Sequence, residues 1–185
     1  MKKRSGRRKP VGWRNHSDEH ALASRGIKTR YNGSLKSGGR MNIDKIEEIL
    51  DEHKKWLNNE GGKRADLSGA NLWGADLRYA DLRYADLRDA DLRDADLSEA
   101  DLRYADLRYA DLRYADFSSA NLRDAYLRGA YLSDADLSGA NLSGAILRGA
   151  NLRYADLRYA DLKGAELRDV YLEGAKLPED YKREQ

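Results

Sequence analysis

From residue 65 onward, small and large apolar residues alternate with polar ones on a five-residue beat. Ala occupies 65, 70, 75 and every fifth position to 175, with Val170 the one departure. Leu occupies 67, 72, 77 and every fifth position to 177, with Phe117 the one departure. The run holds 23 units without an insertion. Five matches neither regular period. On an α-helix each unit would carry its Leu about 140° further round, so no apolar face would form. On one long strand an odd repeat would send successive Leu to opposite faces. Each unit therefore holds a short extended piece followed by a corner. Ala and Leu are two apart and point the same way. Both point inward, because the other three positions carry mainly Asp, Asn, Arg, Ser, Tyr and Gly. If each corner turns a right angle, four units close a square coil of 20 residues, and the run makes nearly six coils. Strands stacked at ~4.8 Å then give a rod of roughly 28 Å. Gly at the last position of eight units fits a corner with unusual backbone angles.

The residues before the run follow other rules. Residues 42–59 predict an amphipathic helix with Ile43, Ile46, Ile49, Leu50, Trp56 and Leu57 on one stripe. Asp44 with Glu47 has the spacing of a capping box, and Asn58, Asn59, Gly61 and Gly62 end the helix. The stripe needs an apolar partner, and the nearest is the open end of the solenoid. Residues 1–40 are rich in Gly, Ser and basic residues and poor in large apolar ones, which predicts a mostly disordered segment. Within it, Ser17 is positioned to cap a short helix through Asp18–Arg25 that stops at Gly26. The expected organisation is a basic tail over 1–41, a capping helix over 42–60, a repeat body over 61–179 and a short tail over 180–185.

The run Ala65-Asp66-Leu67-Ser68-Gly69-Ala70-Asn71-Leu72 and its successors resemble the pentapeptide-repeat family, whose consensus is A(D/N)LXX. The resemblance covers about 113 of 185 residues, with all 23 units in register. It implies an all-β solenoid, a right-handed quadrilateral β-helix with Leu as the central inward residue. The helix before the repeats and the stretch from Trp56 to Gly62 look like the lead-in of phage and bacterial members. The resemblance also implies a non-enzymatic module, and some long members imitate DNA and bind gyrase.

Charge changes the picture at the two ends. Residues 1–40 carry 12 Lys/Arg against 2 Asp/Glu, whereas residues 65–179 carry 15 against 22. The split reads as a basic tail on an acidic body. Lys2, Lys3, Arg4, Arg7, Arg8 and Lys9 make the tail a candidate polyanion-binding segment, the rival reading being a solubilising arm. With no Cys there is no disulfide or thiol chemistry. His16, His20 and His53 lack a third metal ligand in reach of the pattern. No apolar run approaches the ~20 residues of a membrane span, and the basic N-terminus is not followed by a secretory core. The expected compartment is the cytoplasm, and no cofactor, metal or membrane partner is implied.

Sorting the outward residues by every fourth unit stacks Arg88, Arg108, Arg128, Arg148 and Arg168 on one side, and Asp76, Asp96, Asp116, Asp136 and Asp156 on another. For most of the surface this is a solvated lattice of weak pairs. The consensus breaks at Tyr126, Tyr131, Ile146 and Tyr171, where Asp or Asn should precede Leu. Arg128 and Arg148 thereby lose their lateral acids. With Arg153 and Tyr154 nearby, Tyr126, Arg128, Tyr131, Ile146 and Arg148 form a candidate basic-aromatic patch for a protein partner. The expected function is a structural or protein-interaction module. Alternatives are a DNA mimic that occupies gyrase or another DNA-binding protein, and nucleic-acid binding by the basic tail. The short segment from Pro178 to Gln185 covers the last coil poorly, which invites a homodimer through that coil.

Overall fold

A computed structural model describes residues 41 and 43–181. Residues 65–177 wind as a four-sided coil. Every bridge is parallel and joins residues 20 apart, from Asp66–Asp86 to Asp156–Lys176. The expected extended pieces are shorter than strands. Each side pairs through a single-residue bridge at the position before Leu, because a turn begins two residues later.

The corners are type II turns. The residue two after Leu has positive φ at every corner from Gly69 to Gly174, and the residue before it does not. The N–H three residues after Leu closes the turn on the Leu carbonyl, as in Ala110 N→Leu107 O at 3.2 Å. Three backbone bonds then tie each side to the next coil. Leu107 donates to Tyr126 O at 2.8 Å, Tyr109 donates to Arg128 O at 3.1 Å, and Tyr126 donates back to Ala105 O at 2.9 Å. The inward Ala and Leu side chains are buried from Ala65 to Ala160 and form one continuous core. Phe117 takes the place of a Leu and is fully buried.

Four faces result. Face A carries Leu67, Leu87, Leu107, Leu127, Leu147 and Leu167. Face B starts at Leu72, face C at Leu77 and face D at Leu82.

Helix α1 spans Ile43–Leu57. Asp44 lies inside its first turn, where a carboxylate suits the helix N-terminus. Asn59 at φ 57° and the positive-φ Gly61 and Gly62 turn the chain into the repeats. The helix packs on the first coil. Ile46 is buried in the common core and Ile49 and Leu50 are half-buried against it. Met41 N–H donates to Asn71 O at 2.9 Å, and Lys63 N–H to Glu52 O at 3.2 Å. The expected stripe needs one correction. Trp56 and Ile43 are exposed, and His53 occupies the buried line instead. The expected helix Asp18–Arg25 lies outside the described residues.

Candidate functional site

The consensus Asp or Asn before Leu has two jobs. Its Oδ1 accepts the backbone N–H two residues on, as in Ser68 N→Asp66 Oδ1 at 3.1 Å and Ser143 N→Asn141 Oδ1 at 3.0 Å. Where Arg follows Leu, the same carboxylate also grips the guanidinium at two points. Arg108 Nε reaches Asp106 Oδ1 at 2.8 Å and Nη2 reaches Oδ2 at 2.6 Å. Arg78, Arg83, Arg93, Arg103, Arg113 and Arg158 are held in the same way by the acid of their own unit. These forks are stronger than single contacts because both N–H groups are satisfied in one plane. Hydrogen bonds from Arg158 and then Lys176 hold the Asp156 carboxyl far below the usual carboxylate range. The Arg88 hydrogen bonds lower Asp86 in the same direction.

The lattice stops on face A in the fourth coil. Tyr126 and Ile146 stand where Asp86 and Asp106 stand below them, and they are bridged to each other. Neither side chain accepts the backbone N–H or the guanidinium that follows. Arg128 is exposed and makes no ion pair among the described residues. Among the described residues Arg148 reaches only the corner residue Asp169, at 3.8 Å. Around the corner formed by Gly129 and Gly149 lies face B, with Tyr131 exposed. There Arg153 contacts Glu173 at 3.3 Å and stacks over the Tyr171 ring at 5.2 Å. Tyr126, Arg128, Ile146 and Arg148 therefore share one face, and Tyr131 and Arg153 share the next. Tyr154 stands on the far corner of face B, its ring against Gly174. The candidate tail residues Lys2, Lys3, Arg4, Arg7, Arg8 and Lys9 lie outside the described residues.

The Asp stack on face C was read from the spacing, but its lack of arginines and a column of rings at the N-terminal end were not. On face C, Ser98, Ser118 and Ser138 replace Arg, so Asp96, Asp116 and Asp136 stack as an acidic column without an arginine in their own units. At the N-terminal end, His53 stacks on Trp56 at 5.6 Å, Trp56 meets Tyr84 edge-on at 6.2 Å, and Tyr84 stacks on Tyr104 at 5.0 Å. The spacing of 20 between Tyr84 and Tyr104 was the available signal for the second of these. His53 Nδ1 accepts the Ala65 N–H at 3.0 Å, while its Nε2 makes no hydrogen bond among the described residues. Burial pushes the ring below the ordinary imidazole pKa, against the opposing charge of Asp81.

The surface depressions lie at the two ends of the coil and beside the helix, and they are open. No group of His, Cys, Asp and Glu able to hold a metal occurs among the described residues. No described helix is long and apolar enough to cross a membrane.

Comparison with known proteins agrees with this geometry. The family model for pentapeptide repeats (8 copies) matches residues 63–94, 95–134 and 130–169. Among solved structures, the chain is similar to HetL from the cyanobacterium Nostoc sp. strain PCC 7120, a pentapeptide repeat protein involved in heterocyst differentiation regulation. The two are 37% identical over 65% of this chain and 65% of that one, with a TM-score of 0.56. The chain thus spans less than two thirds of HetL. A second pentapeptide repeat protein from Nostoc PCC 7120 is 46% identical over 50% of this chain and 77% of its own, with a TM-score of 0.46. One from the Arabidopsis thaliana thylakoid lumen is 28% identical over 66% and 71%, with a TM-score of 0.49. No curated protein matches the chain. Proteins of this family are right-handed quadrilateral β-helices and generally structural or interaction modules. With the 20-residue register, the turns and the matched residues in hand, the chain belongs to the pentapeptide-repeat family.

Proposed function

We propose that this protein is a non-enzymatic interaction module that binds a protein partner through the flank of its C-terminal half. The observation that carries the reading is the break in the Asp–Arg lattice. Through Arg113 the arginines that follow an Asp-Leu pair are gripped by that Asp, whereas at Tyr126 and Ile146 the acids are replaced by apolar surface. Exposed Tyr126 and Tyr131 beside Arg128 and Arg148 have the composition of binding hot spots. Proteins captured by the wild-type chain are expected to be lost from the Arg128→Glu/Tyr131→Ala variant and kept by Arg158→Glu on face C. Equal capture by all three would sink the reading.

Two other readings have some support. The column of Asp96, Asp116 and Asp136 suits DNA mimicry, although face A presents charge of the opposite sign. If gyrase supercoils DNA at the same rate with and without the protein, mimicry of its substrate is ruled out. Leu162, Leu167, Leu172 and Leu177 are only half-buried in the last described coil, which suits pairing with a second copy there. Light scattering that returns a monomer at millimolar concentration would exclude that pairing.

A further inference from the structure

Face A offers an internal comparison of one position in two chemical states. At Asp86 and Asp106 the residue before Leu is a carboxylate that closes on the following arginine. At Tyr126 and Ile146 the same backbone position, in the same register, carries an aromatic ring and a branched alkyl group. The arginines were kept and their acids were not. Arg128 is left with no ion pair among the described residues, and Arg148 with one long contact at its corner. A guanidinium fork whose partner is missing is complementary to a carboxylate supplied from outside. The apolar pair beside it gives that partner a surface to desolvate.

We propose that Arg128 and Arg148, set beside Tyr126 and Ile146, form a docking surface for an acidic, partly apolar polypeptide segment of a partner protein. This rests on the reading of the flank as protein-binding, and it names the partner's chemistry. Charge favours a short peptide over a nucleic acid. The body from 65 to 179 has 22 acidic against 15 basic residues, and Asp124 and Asp169 stand at corners bordering the patch. A continuous phosphate backbone would run past those acids. A peptide places carboxylates at two points and apolar side chains between them.

The test is fluorescence anisotropy of the full chain with a labelled peptide of alternating Glu and Val. A Lys–Val peptide and a single-stranded oligonucleotide of matched charge serve as rivals. The informative variant is Tyr126→Asp/Ile146→Asp, which keeps both arginines and restores the residue type found at Asp86 and Asp106. It also restores two acceptors for backbone N–H groups, so it is expected to fold, as circular dichroism would verify. Affinity for the Glu–Val peptide should fall about tenfold or more as the forks close on internal acids. Arg158→Glu, which changes net charge equally on face C, should stay within about twofold. Unchanged affinity in the folded double variant overturns the proposal. So does equal or tighter binding of the oligonucleotide, or wild-type self-association that the double variant abolishes. If Tyr131→Ala/Arg153→Ala loses a captured protein that the double variant retains, the acidic partner is wrong and protein binding by the flank stands. If no patch variant alters capture, both fall.

Discussion

The corner residue concentrates the local strain of this fold. Tyr, Asp, Glu and Ser sit at φ near +60° at 14 corners, although the left-handed region costs an L-residue roughly 1–2 kcal/mol. The stacked coil holds most of them there, since the corner N–H groups up to Tyr154 donate to the coil above. Glycine is free of that cost, and two sites separate the backbone effect from packing. At Gly149, φ is 70° and an added Cβ would meet nothing within 4 Å. Gly149→Ala should therefore cost about 1 kcal/mol through the backbone alone. At Gly129 a Cβ would stand 2.7 Å from the Tyr109 ring. Gly129→Ala should cost distinctly more, and Tyr109→Ala should bring its cost back to that of Gly149→Ala. Urea unfolding of the four variants checks this. Equal costs at the two glycines would mean that Tyr109 simply swings away.

At the scale of elements, helix α1 is joined to the repeats through a neutral imidazole. His53 can accept the Ala65 N–H only while Nδ1 is unprotonated. Its folded pKa lies below the unfolded value of about 6.5, so the folded state binds fewer protons below that pH. The contribution is fully present above the unfolded pKa. It is lost as pH falls from there through the depressed folded value. Hydrogen exchange should show the first-coil amides, such as Leu67 and Leu72, losing protection between about pH 7.5 and 5.5. Amides of the middle coils should not change, and His53→Gln should flatten the response. A wild-type first coil equally protected at both pH values would show that the imidazole is not the joint. The aromatic column from Trp56 to Tyr104 adds contact on one side of the same junction. Each such ring pair is worth about 0.5–1.5 kcal/mol beyond its burial.

For the molecule as a whole, stability is a sum along one dimension. Each coil touches only its two neighbours, so a lost side chain is felt according to its place in the stack. Leu107 is fully buried between coils, whereas Leu167 is half-buried in the last described one. Leu107→Ala should cost about 2–5 kcal/mol, as for other buried leucines. Leu167→Ala should cost well under half of that. Chemical denaturation of both variants measures the ratio, and a ratio near one would mean that the last coil is covered in solution. The charged surface contributes less than its order implies. The Arg sides of these pairs are about a third or more exposed, so solvent screening keeps individual forks weak. Their larger consequence is to neutralise most arginines, which makes the exception on face A chemically distinct.

Much of this architecture could be read directly from the order of residues. A five-residue beat excludes helix and flat strand, and an Ala–Leu pair two apart must point one way. Hence the inward set followed from spacing, and the coil of 20 and the stacking of Tyr126 on Ile146 followed once each corner was taken as a right angle. Periodicity states which residues are stacked, but not how far a side chain reaches around a turn. That Asp106 closes on Arg108 in two bonds, while also accepting a backbone N–H, depends on the turn angles of the folded unit. The helix shows the same limit. Its apolar spacing placed Trp56 inward, whereas docking on the first coil turned Trp56 toward Tyr84 and buried His53. The rotation of a helix about its own axis is set by the surface it meets, and that surface exists only once the coil has closed.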